Sequence, residues 1–266
     1  MPDKKMPVLF IGHGSPMNMI LNNDFTRSLS SLGKVLPRPK AVMVISAHWL
    51  TRGTFVGCMN RPKTIHDFYG FPDELYRIAY PCPGAPDEAA LVTTIRGKVP
   101  VACNDTWGLD HGAWAVLRHL FPLADVPVFQ LSLDYSFNEW HPKPVQYHYD
   151  LGKELAVLRE QGILIIGSGN IVHNLGVLDF ENIDAKPFDW SVEFDEQVKA
   201  NLISGRHEKL IEFANMGKAA ARAVPTLDHY LPMIYAVSLQ GRNEGLSFFH
   251  EGFQHGSISM RCFQIG

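Results

Sequence analysis

The sequence predicts an α/β fold with a mainly parallel central sheet, helices on both of its faces, and antiparallel C-terminal strands. Three observations carry that expectation. Short apolar runs rich in branched side chains, "VLFI" at Val8–Ile11, "AVMVI" at Ala41–Ile45 and "ILII" at Ile163–Ile166, are bounded by glycine, proline or small residues, as strands are. These runs are apolar at successive positions rather than alternate ones, which a strand requires when both its faces are covered. Amphipathic helical patterns stand between the runs, and alternating strand and helix builds a parallel sheet.

Taken in order, the first run stops at Gly12 and presents His13 and Ser15 from a turn whose glycines let a ligand approach closely. "KAVMVISAHW" repeats the design and ends in His48. The proline-bearing stretch Arg61–Pro86 has the length of an active-site cover. A helix is expected over Asp87–Lys98, a strand near Val99–Ala102, and a helix over Gly112–Phe121 with Asp110 as its cap. A strand over Val126–Leu133 and a helix over Val145–Gln161 follow. "GILIIGSGNIVHN" is then a third strand running through a small-residue loop to His173. A second long loop spans Asp179–Pro187, helices are expected over 191–204 and 226–240, and strands over 246–250 and 257–265 close the sheet.

At 266 residues the chain can bury about three quarters of its unfolded surface, enough for one domain over 1–266. A net charge of -3 with acids and bases interspersed gives no footprint for nucleic acid. No apolar run approaches the roughly 20 residues of a membrane span, and the run after "MPDKK" is too short for an export core, so a cytoplasmic protein without a membrane partner is expected. The oligomeric state is open. Cys58, Cys82, Cys103 and Cys262 are scattered without metal or disulfide spacing and read as reduced, mostly buried thiols.

Ligands of open α/β sheets bind outside the carboxyl ends of the strands. Three apolar runs carry His13, His48 and, after a loop, His173 toward that edge. His229 sits at a helix start marked by Pro225, Thr226 and Asp228, and His111 precedes another helix. His119, His141, His148, His207 and His255 lack this placement and read as ordinary hydrogen-bonded histidines. His66 and His250 fit either description. Convergent imidazoles imply a metal, because a protonated cluster repels itself whereas neutral rings are good ligands for zinc, iron, copper or nickel. "GSGNIV" lacks the third glycine of a dinucleotide loop, and neither Ser15 nor Ser168 has the frame of a hydrolase nucleophile.

"GHGSPMN", "SAHW", "TIHDFYGFP", "WGLDHGAW", "GSGNIVHN" and "DHYLP" occur here in the order found in the bacterial and plant DOPA extradiol dioxygenases, which the chain resembles from Pro7 to its "QIG" end. These belong to the class III ring-cleaving, LigB-like superfamily. The resemblance implies a single-domain fold of the phosphorylase/hydrolase-like kind. It also implies cleavage of a catechol such as L-DOPA beside its diol to a semialdehyde, using O2 and one divalent ion, Fe2+ or Zn2+, with Fe2+ expected for dioxygenation. By position in the matching motifs, His13, His48 and His229 would be metal ligands. His173 would complete the metal shell or act as acid and base beside it, and His111 would stand near a substrate hydroxyl. Ring-cleaving enzymes usually bind iron through two histidines and a carboxylate, and here a histidine takes the third place. Asp228 and Glu251 are the nearest acids able to supply the missing charge, although a structural role is commoner for each. Trp49, Phe68, Tyr69 and Trp107 would wall a flat ring or sit in the core. Two other readings stand beside this one: a zinc hydrolase using the same histidines, and a relative that binds without catalysis.

Overall fold

The computed structural model describes residues 5–95, 99–135 and 144–266. Its strands are β1 (Val8–Gly12), β2 (Ala41–Thr51), β3 (Thr54–Gly57), β4 (Val101–Asn104), β5 (Val128–Asp134), β6 (Ile163–Gly169), β7 (Leu246–His250), β8 (Phe253–Gln254), β9 (Ile258–Ser259) and β10 (Cys262–Ile265). The helices are α1 (Asp24–Val35), α2 (Asp73–Tyr76), α3 (Pro86–Thr94), α4 (His111–Leu120), α5 (Val145–Glu154), α6 (Val157–Glu160), α7 (Asp189–Ile203), α8 (His207–Ile211), α9 (Lys218–Ala223) and α10 (Leu231–Ser238).

An eight-stranded sheet runs in the order β4-β3-β5-β2-β6-β1-β10-β7, and β8 and β9 form a separate hairpin. Strands β5, β2, β6 and β1 are mutually parallel, while β10 and β7 close one edge antiparallel. The apolar runs divide between two layers because successive side chains point to opposite faces. Val8, Phe10, Met43, Ile45, Ile163 and Ile165 pack beneath α3, α5, α7 and α10. Leu9, Ile11, Val42, Val44, Leu164 and Ile166 pack beneath α1 and α4. The carboxyl ends of β1, β2 and β6 therefore meet at one rim.

The fold has the expected class, with local departures. The run over Val145–Gln161 is two helices with a break at Leu155. The run "SISMRCFQI" is also divided: β9 joins the hairpin and β10 the sheet, because Arg261 between them turns to Asp195, Glu196 and Glu251. Helices α1, α8 and α9 and strand β3 add to the expected elements, although α1 is plainly amphipathic, with Asn23 as its cap and Phe25, Leu29 and Leu32 on its buried face. Strand β3 meets β5 at a single antiparallel pair, Val56 opposite Leu131.

The reading of four reduced cysteines is corrected for two of them. Parallel pairing of β3 with β4 sets Val56 opposite Cys103 and brings Cys58 to a Cα separation of 5.8 Å from Cys103, and their sulfurs are bonded. Register across the sheet, invisible to sequence spacing, makes this pair. Cys82 and Cys262 are free and buried, and burial pushes the Cys82 thiol up to about 12. Labelling of the denatured, unreduced protein is expected to count two thiols, and four after reduction.

The wholly buried guanidinium of Arg159 ties the entry to β1 to the exit of α10. It donates to the Met6 carbonyl at 2.8 Å, the Leu239 carbonyl at 2.7 Å, and both Glu244 oxygens at 2.7 Å. Burial alone would raise the Glu244 carboxyl, but hydrogen bonds from Arg159, the Gly241 amide and Lys5 hold it down at about 2, against an ordinary 4.5. A depressed carboxyl stabilises the fold above its unfolded pKa, and that contribution fades as pH falls through the folded one. Glu244→Gln is accordingly expected to lower Tm at neutral pH, with the gap to wild type closing between about pH 4.5 and about pH 2 in thermal melts.

Candidate metal centre and active site

His13 follows the last residue of β1, and its amide donates to the Gly169 carbonyl at 3.1 Å, extending the ladder with β6. Its Nδ1 lies 3.0 Å from the Ser168 hydroxyl, which donates its own proton to the Gly112 carbonyl at 2.5 Å. Ser168 is thus an acceptor toward His13, so Nδ1 carries the ring proton and Nε2 presents a lone pair. His48 lies within β2, where four residues, 46–49, oppose Ser132 alone on β5. Such an irregularity re-aims side chains, and it turns His48 Nε2 to within 3.1 Å of His13 Nε2.

His229 comes from the other side of β6. A Cβ at Gly169 would collide with the His229 carbonyl, so only glycine lets the chain before α10 lie flat on the strand. The Asn170 amide then donates to that same carbonyl at 2.9 Å. His229 Nδ1 bonds to Asp228 Oδ2 at 2.5 Å, which directs its Nε2 away from the carboxylate.

The donor atoms of His13, His48 and His229 all lie within 4.8 Å of one another. Two imidazole nitrogens sharing one ion with bonds of about 2.1 Å stand roughly 3.0–3.4 Å apart, depending on the angle. The 3.1 Å separation of the His13 and His48 Nε2 atoms falls in that interval. Burial, reinforced by the charge of His229, His111 and His173, pushes His13 well below its ordinary pKa. Burial and the neighbouring histidines, His111 foremost, do the same to His48. Neutral rings are good ligands, and at this spacing a cation can take the place of the proton between His13 and His48, so the donor set fits a divalent metal.

His173, anchored by its amide to the Ala223 carbonyl at 2.9 Å, stacks its ring on His229 with centroids 3.4 Å apart. Its donor nitrogen groups with Asp228 and His229 and not with the three-histidine set. Burial, then the charge of His229, lowers its pKa well below the ordinary value, against the opposing pull of Asp228. His111, at the first turn of α4, is held by Asp67, which accepts its amide at 2.8 Å and its Nδ1 at 2.9 Å. Desolvation alone would raise the Asp67 carboxyl, but these bonds and the charge of His111 hold it below the ordinary range. Asp67 also lies 3.6 Å from His48 Nδ1. Beneath them Asp110 caps α4 and accepts from Ser46 at 2.6 Å and Gln130 at 3.1 Å, tying α4 to β2 and β5.

All five sequence-derived histidines thus gather at one rim, and Asp67 is the residue sequence reasoning missed. Its only signal was a carboxylate inside "TIHDFYGFP". Of the two acids considered, Asp228 stands behind His229, whereas Glu251 is engaged by Lys199 and Arg261. Trp49 and Trp107 stack on each other at 5.9 Å, and only Phe68 and Tyr69 of the four aromatics line the pocket. His66, His119, His148, His207 and His250 bond to carbonyls, hydroxyls or an amide elsewhere, and His141 lies outside the described residues. His255 is at the pocket mouth.

The pocket over the cluster has a volume of about 360 Å³, with His13, His48, His111, His173 and His229 on its floor. The family model for the catalytic LigB subunit of aromatic ring-opening dioxygenase matches residues 8–259. A 4,5-DOPA dioxygenase extradiol of Escherichia coli (strain K12) is 43% identical over 100% of this chain and 97% of its own length. One of the same description from Mirabilis jalapa is 33% identical, covering 92% of this chain and 90% of that protein. The crystal structure of an uncharacterized Escherichia coli K12 protein superposes with a TM-score of 0.84 at 39% identity, over 98% of this chain and 100% of that one.

Outer hydrogen-bond partners of metal-binding histidines typically contribute 10- to 100-fold in affinity. Ser168→Ala, which removes the acceptor at His13 Nδ1, is expected to weaken Fe2+ or Zn2+ binding by about that factor in a competitive chelator titration, and to lower the Tm of the metal-free protein because the Gly112 carbonyl loses its donor.

Proposed function

The chain belongs to the LigB family of aromatic ring-opening dioxygenases, and on that premise we propose that it is an extradiol dioxygenase of a catechol such as L-DOPA. The reaction adds both atoms of O2, breaks the ring bond beside the diol, and leaves an aldehyde and a carboxylate. No further reductant is needed. The observation that carries the reading is the meeting of His13, His48 and His229 donor atoms on the floor of an otherwise apolar pocket.

In this reading His13, His48 and His229 hold the metal, with Fe2+ as the ion for dioxygenation. When bound, Fe2+ supplies a Lewis acid and an electron relay between the diol and O2. The remaining work falls to the protein. His173, kept neutral by its burial, accepts a proton from a catechol hydroxyl and returns it as the ring opens. His111, with Nδ1 bound to Asp67, offers Nε2 toward the second hydroxyl. Phe68, edge-on to His111, flanks the ring. The same reading has residues 1–266 acting as one ring-cleavage domain in the cytoplasm, on a small aromatic partner.

The test is oxygen uptake by anaerobically prepared, Fe2+-loaded protein given L-DOPA and a panel of catechols. One O2 consumed per catechol, with appearance of a yellow semialdehyde, is expected. His173→Ala should lower kcat about 10²- to 10⁴-fold at unchanged metal content. Absence of oxygen uptake with every catechol, in a protein that hydrolyses esters or amides when loaded with Zn2+, would replace the proposal with the hydrolase reading.

A further inference from the structure

Above the histidine floor the pocket changes character. Two loops form its walls: Phe68, Tyr69 and Phe71 come from the segment before α2, and Leu175, Leu178 and Phe180 from the segment before α7. Among the described residues the lining holds no lysine or arginine, and its one carboxylate, Asp67, is engaged by His111. Several of these apolar side chains face water: Tyr69 is 92% exposed, Phe180 74% and Leu175 55%. Large apolar side chains left in water around a concave site are informative, because their exposure is relieved only when something apolar covers them.

The walls are also fixed in advance. His255, in the turn between β8 and β9, clamps the second loop: its amide donates to the Ile183 carbonyl at 2.8 Å, its Nδ1 to the Asp179 carbonyl at 2.7 Å, and its own carbonyl accepts from the Asp179 amide at 3.1 Å. Asp179 Oδ1 in turn accepts the Glu181 and Asn182 amides, so the backbone on both sides of Phe180 is held. On the first loop Phe68 sits edge-on to His111 at 5.7 Å and packs against Phe71 at 5.6 Å. The polar floor and the apolar collar are joined there.

We propose that this collar is the specificity element of the site, and that it selects catechols carrying an apolar alkyl or aryl substituent over catechols carrying a charged side chain. The inference rests on the ring-cleavage reading for the diol end alone. The substituent end follows from the side chains that face it. A buried methylene contributes about fourfold in affinity, whereas an ammonium or carboxylate placed beside Phe180 and Leu175 meets no lysine, arginine or free carboxylate among the described lining residues.

Calorimetric titration of the Fe2+-loaded protein under argon separates binding from turnover. 4-Isobutylcatechol has the branched skeleton of L-DOPA with methyl groups in place of ammonium and carboxylate. It is expected to bind at least tenfold more tightly than L-DOPA and than unsubstituted catechol. Phe180→Ala and Leu175→Ala, both at exposed positions that leave the core intact, are each expected to shrink that advantage severalfold. L-DOPA binding as tightly as 4-isobutylcatechol, or an advantage undiminished in both variants, would overturn the proposal. If the order of binding holds while no catechol consumes O2, the collar stands and the ring-cleavage reading falls. Oxygen uptake with L-DOPA favoured overturns the collar alone.

Discussion

Two imidazole nitrogens facing each other at 3.1 Å, each directed there by a hydrogen bond or a strand irregularity behind it, are the constraint on which the rest of the rim depends. Without a cation one neutral ring can donate to the other across that distance, and a divalent ion would replace the shared proton, which couples binding to proton release. Partners behind the rings hold the arrangement. Ser168 fixes the His13 tautomer through a hydroxyl whose own proton is committed to the Gly112 carbonyl. Asp228 does the corresponding work for His229. The irregularity in β2 aims His48, which no hydrogen bond alone would do.

These positions are reached only because helices approach β2 and β6 without intervening side chains. A Cβ at Gly112 would meet the Ser46 hydroxyl and the His48 ring, and one at Gly169 would meet the His229 backbone. Helix α4 and the segment before α10 therefore arrive from opposite faces of the sheet and still deliver His111 and His229 to one rim. Asp110 links this packing to the chemistry: it caps α4, and its bonds to Ser46 and Gln130 hold the helix start against two strands. Burial and the nearby Asp67 charge push its carboxyl up to about 6.

Much of this is legible in sequence, and what is not has a common physical origin. The runs that became β1, β2 and β6 announce themselves by composition, and the small residues after them mark where His13 and His173 leave the sheet. The residues Pro225–Asp228 mark the approach to α10, which begins only at Leu231 and not at Thr226, so His229 lies in the turn just before the helix. Asp67 and His255, by contrast, owe their roles to partners 44 and 76 residues away in sequence, and no local pattern encodes such a distance. The Cys58–Cys103 bond is hidden for the same reason, since it depends on the register of β3 against β4. Local signals specify which residues leave strands. Long-range packing specifies what they meet.

The absence of a carboxylate from the three-histidine set takes on meaning once Asp67 and Asp228 are placed. Each acid binds the Nδ1 of a histidine, and both are held below the ordinary carboxylate range because the bonds and charge of His111 and His229 outweigh desolvation. Negative charge is thus kept at the rim but one ring removed from the donor atoms. Under the proposed ring-cleavage reading, a divalent ion held by three neutral imidazoles would keep its charge toward the open side, where a doubly deprotonated diol would neutralise it in a low-dielectric setting. A carboxylate ligand would satisfy part of that charge in advance and weaken the pull on the substrate oxygens. On that reading a carboxylate behind a ring, as Asp228 stands behind His229, would instead raise imidazole basicity and fix orientation, so the charge that would attract the diol and the charge that would support the ligands occupy different layers of the same site.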